Sequence, residues 1–242
     1  MLKKTYRYLM VILVAGFLIS LASAGFAKNT KKDAKSMTLD QRISYSVGYS
    51  YYENLSKEYE LDIDAFYKGI EDAISKKPVL NPMQLKEALI AFQEKIRAKQ
   101  REKLLAQAKA NKDKGEAFLQ QNKKKKGVIS LKSGLQYKII KKGTGKSPKP
   151  EDMIKCHYKG TTIDGVEFDS SYKRGKPAVF QLNRVIKGWT DALQLMKEGS
   201  KWQLFIPSDL GYGDRPAGPI KPGSTLIFEV ELISIEKAKP KQ

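Results

Sequence analysis

One cysteine and one histidine in 242 residues remove whole classes of chemistry at the outset. Cys156 has no second thiol to pair with, so no disulfide can form within the chain, and stability must come from packing. A zinc site takes four protein ligands, or three and a water, and this pair does not supply them, so no metal or cofactor is expected. A serine or cysteine nucleophile would need a further imidazole-like base, and none is present. His157 falls in a strand-like stretch and is expected to face away from the neighbours of Tyr158, in a structural role.

Acidic residues are also in short supply. Lys and Arg number 45 against 26 Asp and Glu, giving a net charge of +19. Such a surplus suits nucleic acid, an anionic membrane surface or acidic partners. No nucleic-acid motif accompanies it, so a solvated cationic surface is the preferred reading and nucleic acid is not expected as a partner. Gly143-Thr144-Gly145-Lys146-Ser147 imitates the tail of a phosphate-binding loop, but position 140 is Ile where the loop needs Gly. Pro148 and Pro150 then block the helix such a loop must open.

Long apolar runs are absent except at the start. Lys3, Lys4 and Arg7 precede an apolar stretch from Leu9 to Ala22, and Ala22-Ser23-Ala24 offers a small-x-small cleavage site, with Gly25-Phe26-Ala27 as a second choice. This is the layout of a secretory signal peptide over residues 1–27. An uncleaved anchor would want about 20 apolar residues. No cysteine follows the run, which argues against an acylated terminus. The chain is therefore expected to be exported, most simply to a periplasm, with the outer membrane or cell surface as alternatives.

What is there divides into two grammars. Thr38 and Gln41 have capping-box spacing ahead of Ile43, Val47 and Tyr51. A second helix is expected from Asp62 or Asp64, with Phe66, Ile70 and Ile74 on one face and a stop at Lys76-Lys77-Pro78. Asn81-Pro82 then places an N-cap residue before proline at the first helical position. Leu85, Leu89, Phe92 and Ile96 form a single stripe, after which the pattern thins. Arg97 to Lys126 holds 11 basic and 3 acidic residues. A helix from Pro82 to Gln121 would reach about 60 Å at 1.5 Å per residue. Its second half is too polar to be packed on all sides, and is read as a solvent-exposed arm or an open coil. Three short amphipathic helices make a poor monomeric core. They read as a homodimerisation module over residues 28–96 joined by a charged connecting helix over 97–126, the alternative being a small independent bundle.

From Gly127 the pattern changes to strands and turns, expected at Leu135–Lys142, Met153–Thr161, Ala178–Leu182, Lys201–Ile206 and Thr225–Ile235. The last sets Leu226, Phe228, Val230 and Leu232 on one face and Glu229 and Glu231 on the other. Trp189, Ala192, Leu193 and Met196 mark one short helix that Gly199 terminates. The fold class is α+β: an antiparallel sheet on one helix over residues 127–236, preceded by an all-α region, with a basic tail at 237–242.

An ordered set of short stretches in this half resembles the FKBP-type peptidyl-prolyl isomerases. They are His157-Tyr158-Lys159-Gly160, Asp164-Gly165, Phe168-Asp169-Ser170-Ser171, Val185-Ile186-Lys187-Gly188-Trp189, Gly211-Tyr212-Gly213, and the run from Gly223 to Leu232. Upstream, Ser44 to Gly48, Gly69 to Ala73 and Asn111 to Leu119 resemble the N-terminal region of the Mip- and FkpA-like group, exported bacterial isomerases that dimerise through these helices. The resemblance implies a cleft lined by Tyr158, Phe168, Phe180, Val185, Ile186, Trp189, Tyr212, Ile220 and Phe228, with Trp189 as the floor. It implies that the Ile186 N–H and the Tyr212 hydroxyl bind carbonyls beside the proline, and that Asp169 lies near Tyr158 and Arg174. The substrates it implies are proline-containing, unfolded or partly folded polypeptides, and a macrolide inhibitor would occupy the same cleft. On composition alone each of these aromatics reads as core, and Asp169 as a turn acceptor.

Two departures stand out. Ala178 replaces a common aromatic, which is expected to open one cleft wall, and the loop from Asp214 to Pro222 lacks a histidine found in some relatives. The rival to catalysis is a binding role, a dimeric holdase chaperone using the same clefts. Attachment to an anionic surface through Lys123–Lys126 is a weaker rival that salt would abolish.

Overall fold

The computed structural model describes residues 34–236. The expected signal peptide and the basic tail lie outside the described residues. The rest falls into two compact units divided after Leu61.

The first unit contributes helix α1, Leu39–Glu58. Its start is set by the capping box: Thr38 Oγ1 accepts from the Gln41 N–H at 3.3 Å, and the Gln41 side chain accepts from the Thr38 N–H at 3.1 Å. No residue of α1 is buried.

The second unit begins with α2, Ile63–Ser75, whose N-cap is Asp62. Lys76 closes it in the left-handed conformation, φ 56°. Asp72 is the fixed point of the turn that follows, accepting from Lys68 Nζ at 2.7 Å and from the Val79 N–H at 3.1 Å. The Lys68 hydrogen bond holds the Asp72 carboxyl below its ordinary range.

Helix α3, Pro82–Asn122, runs unbroken for 41 residues from a second capping box between Asn81 and Gln84. The open-coil alternative is therefore ruled out, and the exposed-arm expectation holds only for part of the helix. From Ala108 onward one face is packed on the sheet domain. Ala108, Gly115 and Asn122 are buried, at the helical spacing 108–115–122. Phe118 meets Phe205 at 6.0 Å between ring centroids, and Asn122 Nδ2 donates to Gln136 Oε1 at 3.0 Å. Phe118 apart, the buried positions of the contact are small or polar, which is why an apolar pattern did not announce it. A Cβ on Gly115 would overlap the Thr225 hydroxyl, so only glycine allows the helix this close.

The sheet is seven-stranded: β1 Val128–Ser130, β2 Gln136–Lys141, β3 Met153–Thr162, β4 Glu167–Ser170, β5 Ala178–Gln181, β6 Lys201–Ile206 and β7 Leu226–Glu236. Their order is β1-β2-β6-β7-β3-β4, and every pairing is antiparallel. One edge of β3 is shared, pairing β5 along Met153–Cys156 and β4 along Lys159–Thr161. β1 and β4 were not among the expected strands, being three and four residues long.

The alternation in β7 holds: Leu226, Phe228, Val230 and Leu232 are buried. They pack with Leu204 and Ile206 of β6 on helix α4, Lys187–Leu193. Helix α4 is shorter than expected. Gln194 caps it, and turns carry Met196, still fully buried, to Gly199 at φ 79°. A Cβ at Gly188 would stand 2.5 Å from the Ile206 side chain, so glycine lets α4 lie against β6.

Candidate active site

The sheet, α4 and two loops enclose a cavity of about 470 Å³. All ten residues expected at the site line it: Tyr158, Phe168, Asp169, Phe180, Val185, Ile186, Trp189, Tyr212, Ile220 and Phe228. Arg184, Ala217 and Pro219 line it as well and were not anticipated. Arg184 directly precedes the Val185-Ile186 pair, and the other two share a loop with Ile220, so adjacency in sequence was the available signal. Ala178 is not a lining residue. It pairs with Cys156 and packs on the core, and Phe180 is the β5 residue that faces the cavity.

Trp189 forms the centre. Its indole is 4% exposed, and three rings stand nearly perpendicular to it: Tyr158 at 5.2 Å and 87°, Phe228 at 5.2 Å and 79°, and Phe180 at 5.9 Å and 89°. Such edge-to-face pairs contribute about 0.5–1.5 kcal/mol each beyond area burial. Phe168 extends the cluster, 5.4 Å from Phe228. Gly160 makes room for it, since a Cβ there would lie 2.6 Å from the Phe168 ring. The indole Nε1 is buried and has no hydrogen-bond partner, which is unusual for a native polar group. The Ile186 N–H, at the N-cap of α4, is likewise used by no hydrogen bond among the described residues.

Polar groups gather on one side. The Tyr158 hydroxyl donates to Asp169 Oδ2 at 2.5 Å and accepts from Arg174 Nη2 at 2.7 Å. Arg174 Nη1 closes the triangle on Asp169 Oδ1. Burial pushes the Tyr158 phenol up, and the neighbouring carboxylate adds to it, to about 12. Burial works against ionised Asp169, but hydrogen bonds from Tyr158 and Arg174 together with the guanidinium charge win, and its carboxyl lies below the usual range. At neutral pH the group is thus a carboxylate fixed by a neutral phenol and a cation. Tyr212 is 41% exposed, and its hydroxyl makes no hydrogen bond among the described residues. Ile220 is 4% exposed, in a loop closed by reciprocal 3.0 Å bonds between Ala217 and Ile220.

His157 and Cys156 stand apart. The imidazole bonds Ser171 Oγ at 3.0 Å and stacks on Tyr172 at 4.6 Å, away from the cavity lining as the strand alternation required. Burial pushes the Cys156 thiol up to about 12, so it is no nucleophile.

Comparison with known proteins agrees with this geometry. Residues 144–233 match the family described as FKBP-type peptidyl-prolyl cis-trans isomerase, and residues 40–139 match the domain amino terminal to it. The Outer membrane protein MIP of Legionella longbeachae is 45% identical over 228 residues, covering 91% of this chain and 98% of that protein. The peptidyl-prolyl cis-trans isomerase Mip of Coxiella burnetii is 37% identical, covering 96% and 99%. The crystal structure of FkpA from Escherichia coli superposes with a TM-score of 0.68 at 38% identity, covering 84% of this chain and 99% of that one. On these matches the chain belongs to the FKBP-type peptidyl-prolyl cis-trans isomerases, alongside the Mip and FkpA proteins.

Proposed function

We propose that the Trp189 cavity is the isomerase site and that it works by binding alone. Rotation about a peptide C–N bond meets a barrier of about 18–20 kcal/mol, because the twisted state loses resonance. Uncatalysed X-Pro exchange takes about 10–100 s. A twisted amide is less dipolar than a planar one, so an apolar, water-poor cleft favours it over the ground state. Every 1.36 kcal/mol of that preference is tenfold in rate. The proline ring would rest on Trp189 among Tyr158, Phe180 and Phe228. The Ile186 N–H and the Tyr212 hydroxyl, both without internal partners, would take the flanking carbonyls. Asp169 is held charged at the rim by Tyr158 and Arg174.

The observation that carries this reading is the aromatic box around Trp189 with two unused donors beside it, the Ile186 N–H and the Tyr212 hydroxyl. Asp169→Ala and Tyr212→Phe test it in proline-limited refolding. Acceleration is expected to fall in both, and full acceleration in both would remove the assignment. A macrolide inhibitor is expected to compete for the same cavity.

A second observation favours homodimerisation through residues 28–96. Ile43 and Val47 of the first unit are exposed, and so are Ile70, Ile74, Leu85 and Leu89 of the second, apolar side chains that a lone chain leaves in water. Two isomerase clefts, each on a charged helix over 97–126, would then share one base. Such a pair suits holdase chaperone activity towards unfolded, proline-containing, exported polypeptides. If Asp169→Ala abolishes isomerisation while aggregation suppression survives, the two activities are separable. Export is supported by the leader pattern; the periplasm is the simplest destination, with the outer membrane, which the name of the Legionella relative favours, and the cell surface as alternatives. Among the described residues no helix is long and apolar enough to cross a membrane.

A further inference from the structure

One wall of the cavity is a loop, and the loop is held by a helix that contributes nothing to the cavity itself. The segment Gly211–Gly223 carries Tyr212, Ala217, Pro219 and Ile220 into the lining. Its own backbone bonds are Gly211 N–H and Gly213 N–H to Ser208 O and Gly223 N–H to Gly213 O, all 2.9 Å, Arg215 N–H to Tyr212 O at 3.3 Å, and the Ala217–Ile220 pair. Ile220 is anchored in the core, and further restraints come from α3. Asn111 Nδ2 donates to the Pro222 carbonyl at 2.7 Å. Lys112 Nζ lies 3.2 Å from Asp209 Oδ1 and 2.9 Å from Asp214 Oδ1, so one ammonium group ties together the residues that flank Gly211-Tyr212-Gly213. The Ala108 carbonyl comes so close to Gly223 that a Cβ there would overlap it, and Gly223 sits at φ 73°, where glycine is favoured.

We propose that Asn111 and Lys112 are positioning residues of the isomerase, through which α3 fixes the shape of the Gly211–Gly223 loop and so the placement of Tyr212 and Ile220 against the substrate. Neither side chain touches the cavity, so neither is catalytic. Loops are ordinarily the mobile parts of a fold. A displacement of about 1 Å in a substrate-positioning group can cost up to about a hundredfold in rate. An exposed ion pair alone contributes little, but Lys112 spans two carboxylates, and Asn111 beside it is half-buried and anchored on backbone. The two therefore act together. Phe118, two turns further along α3, meets Phe205 of β6, outside the loop, which makes it the control for helix docking in general.

This inference rests on the cavity being the isomerase site, and the experiment separates the two. Full-length N111A/K112A, K112E, K112R, F118A and D169A are compared with wild type. The readouts are kcat and KM on an Xaa-Pro tetrapeptide, thermal midpoint, and amide exchange at Ala217 and Ile220. The double variant is expected to raise KM, lower kcat/KM by about three- to tenfold and speed exchange at Ile220. K112E, a surface change that leaves the core intact, should do the same to a smaller degree, and K112R should stay near wild type. F118A should lower the thermal midpoint while leaving kcat/KM within about twofold. Unchanged kcat/KM in both N111A/K112A and K112E, or an equal loss in F118A, would overturn the positioning role. Full activity in D169A would instead overturn the site assignment beneath it.

Discussion

The sheet domain and the helices ahead of it treat their apolar residues in opposite ways. In the sheet domain Leu135, Ile154, Leu182, Leu193, Met196, Leu204, Ile206, Leu226 and Leu232 have no exposed surface. Along α1, α2 and α3 as far as Gln107, the one buried side chain is an acid, Asp72, which closes a turn. Both regions carry clear apolar periodicity. In one it is satisfied within the chain, and in the other it stays exposed. Amphipathic pattern therefore says that a face must be covered, and not by what.

The sharpest test of that contrast is to remove the same atoms from each region. Leu226→Ala should cost about 2–5 kcal/mol, since it leaves a cavity in a closed core, and urea denaturation would read it as a lower midpoint. Leu89→Ala, 62% exposed, should cost less than about 0.5 kcal/mol in dilute, monomeric protein. Its effect should appear instead in association, as a sedimentation profile that shifts towards the monomer on dilution. Equal losses of stability at both positions in a monomer would erase the distinction. The pair Ile43→Glu with Leu89→Glu should give a monomer at all concentrations tested and leave the sheet domain's thermal transition in place. A dimer that survives both charges would end the proposed use of these helices.

How far the sequence foretold this follows from the same contrast. Helix starts were legible because capping is local chemistry: Thr38 with Gln41, Asp62, and Asn81 before Pro82 sit where their side chains said they would. β7 was legible because eleven residues leave room for alternation. β1 and β4 were not, because three or four residues carry no period. The docking of α3 was missed for a different reason. Ala108, Gly115 and Asn122 allow close approach by being small or by hydrogen bonding, and hydropathy is blind to both. The site residues came from resemblance rather than periodicity. By pattern Trp189 and Phe228 are core, and they are indeed buried core residues whose other role is to wall a cavity.

Within the sheet domain the comparison narrows to the apolar box and its polar rim. Asp169→Ala leaves the Tyr158 hydroxyl and Arg174 without their shared acceptor. The Tyr158 ring then loses the contact that fixes it at the cleft, so activity should fall by up to about a hundredfold while the fold persists. Tyr158→Phe removes the two bonds of the triangle that the hydroxyl makes but leaves the carboxylate in place with Arg174 on it, and the loss should be smaller. If Tyr158→Phe proves the more damaging, the phenol contacts substrate directly and Asp169 serves it.

The smallest effect expected is one of pH, and it separates the rim from the box. The Tyr158 phenol is raised from about 10 in the unfolded chain to about 12 in the fold. A raised group adds stability below its unfolded value and loses it as pH climbs through the folded one. Wild type should therefore lose an increment of stability between about pH 10 and 12 that Tyr158→Phe does not lose. Asp169 has the opposite sign: its carboxyl is lowered in the fold, so its contribution is present above the ordinary carboxylate range and disappears as pH falls through the folded value. Paired thermal melts of wild type and Tyr158→Phe at pH 7 and pH 11 isolate the alkaline limb from the many lysines and other tyrosines that titrate in both proteins. A difference in midpoint that is the same at the two pH values would mean that the phenol is not shielded by the fold, and that the Tyr158–Asp169–Arg174 triangle opens in solution.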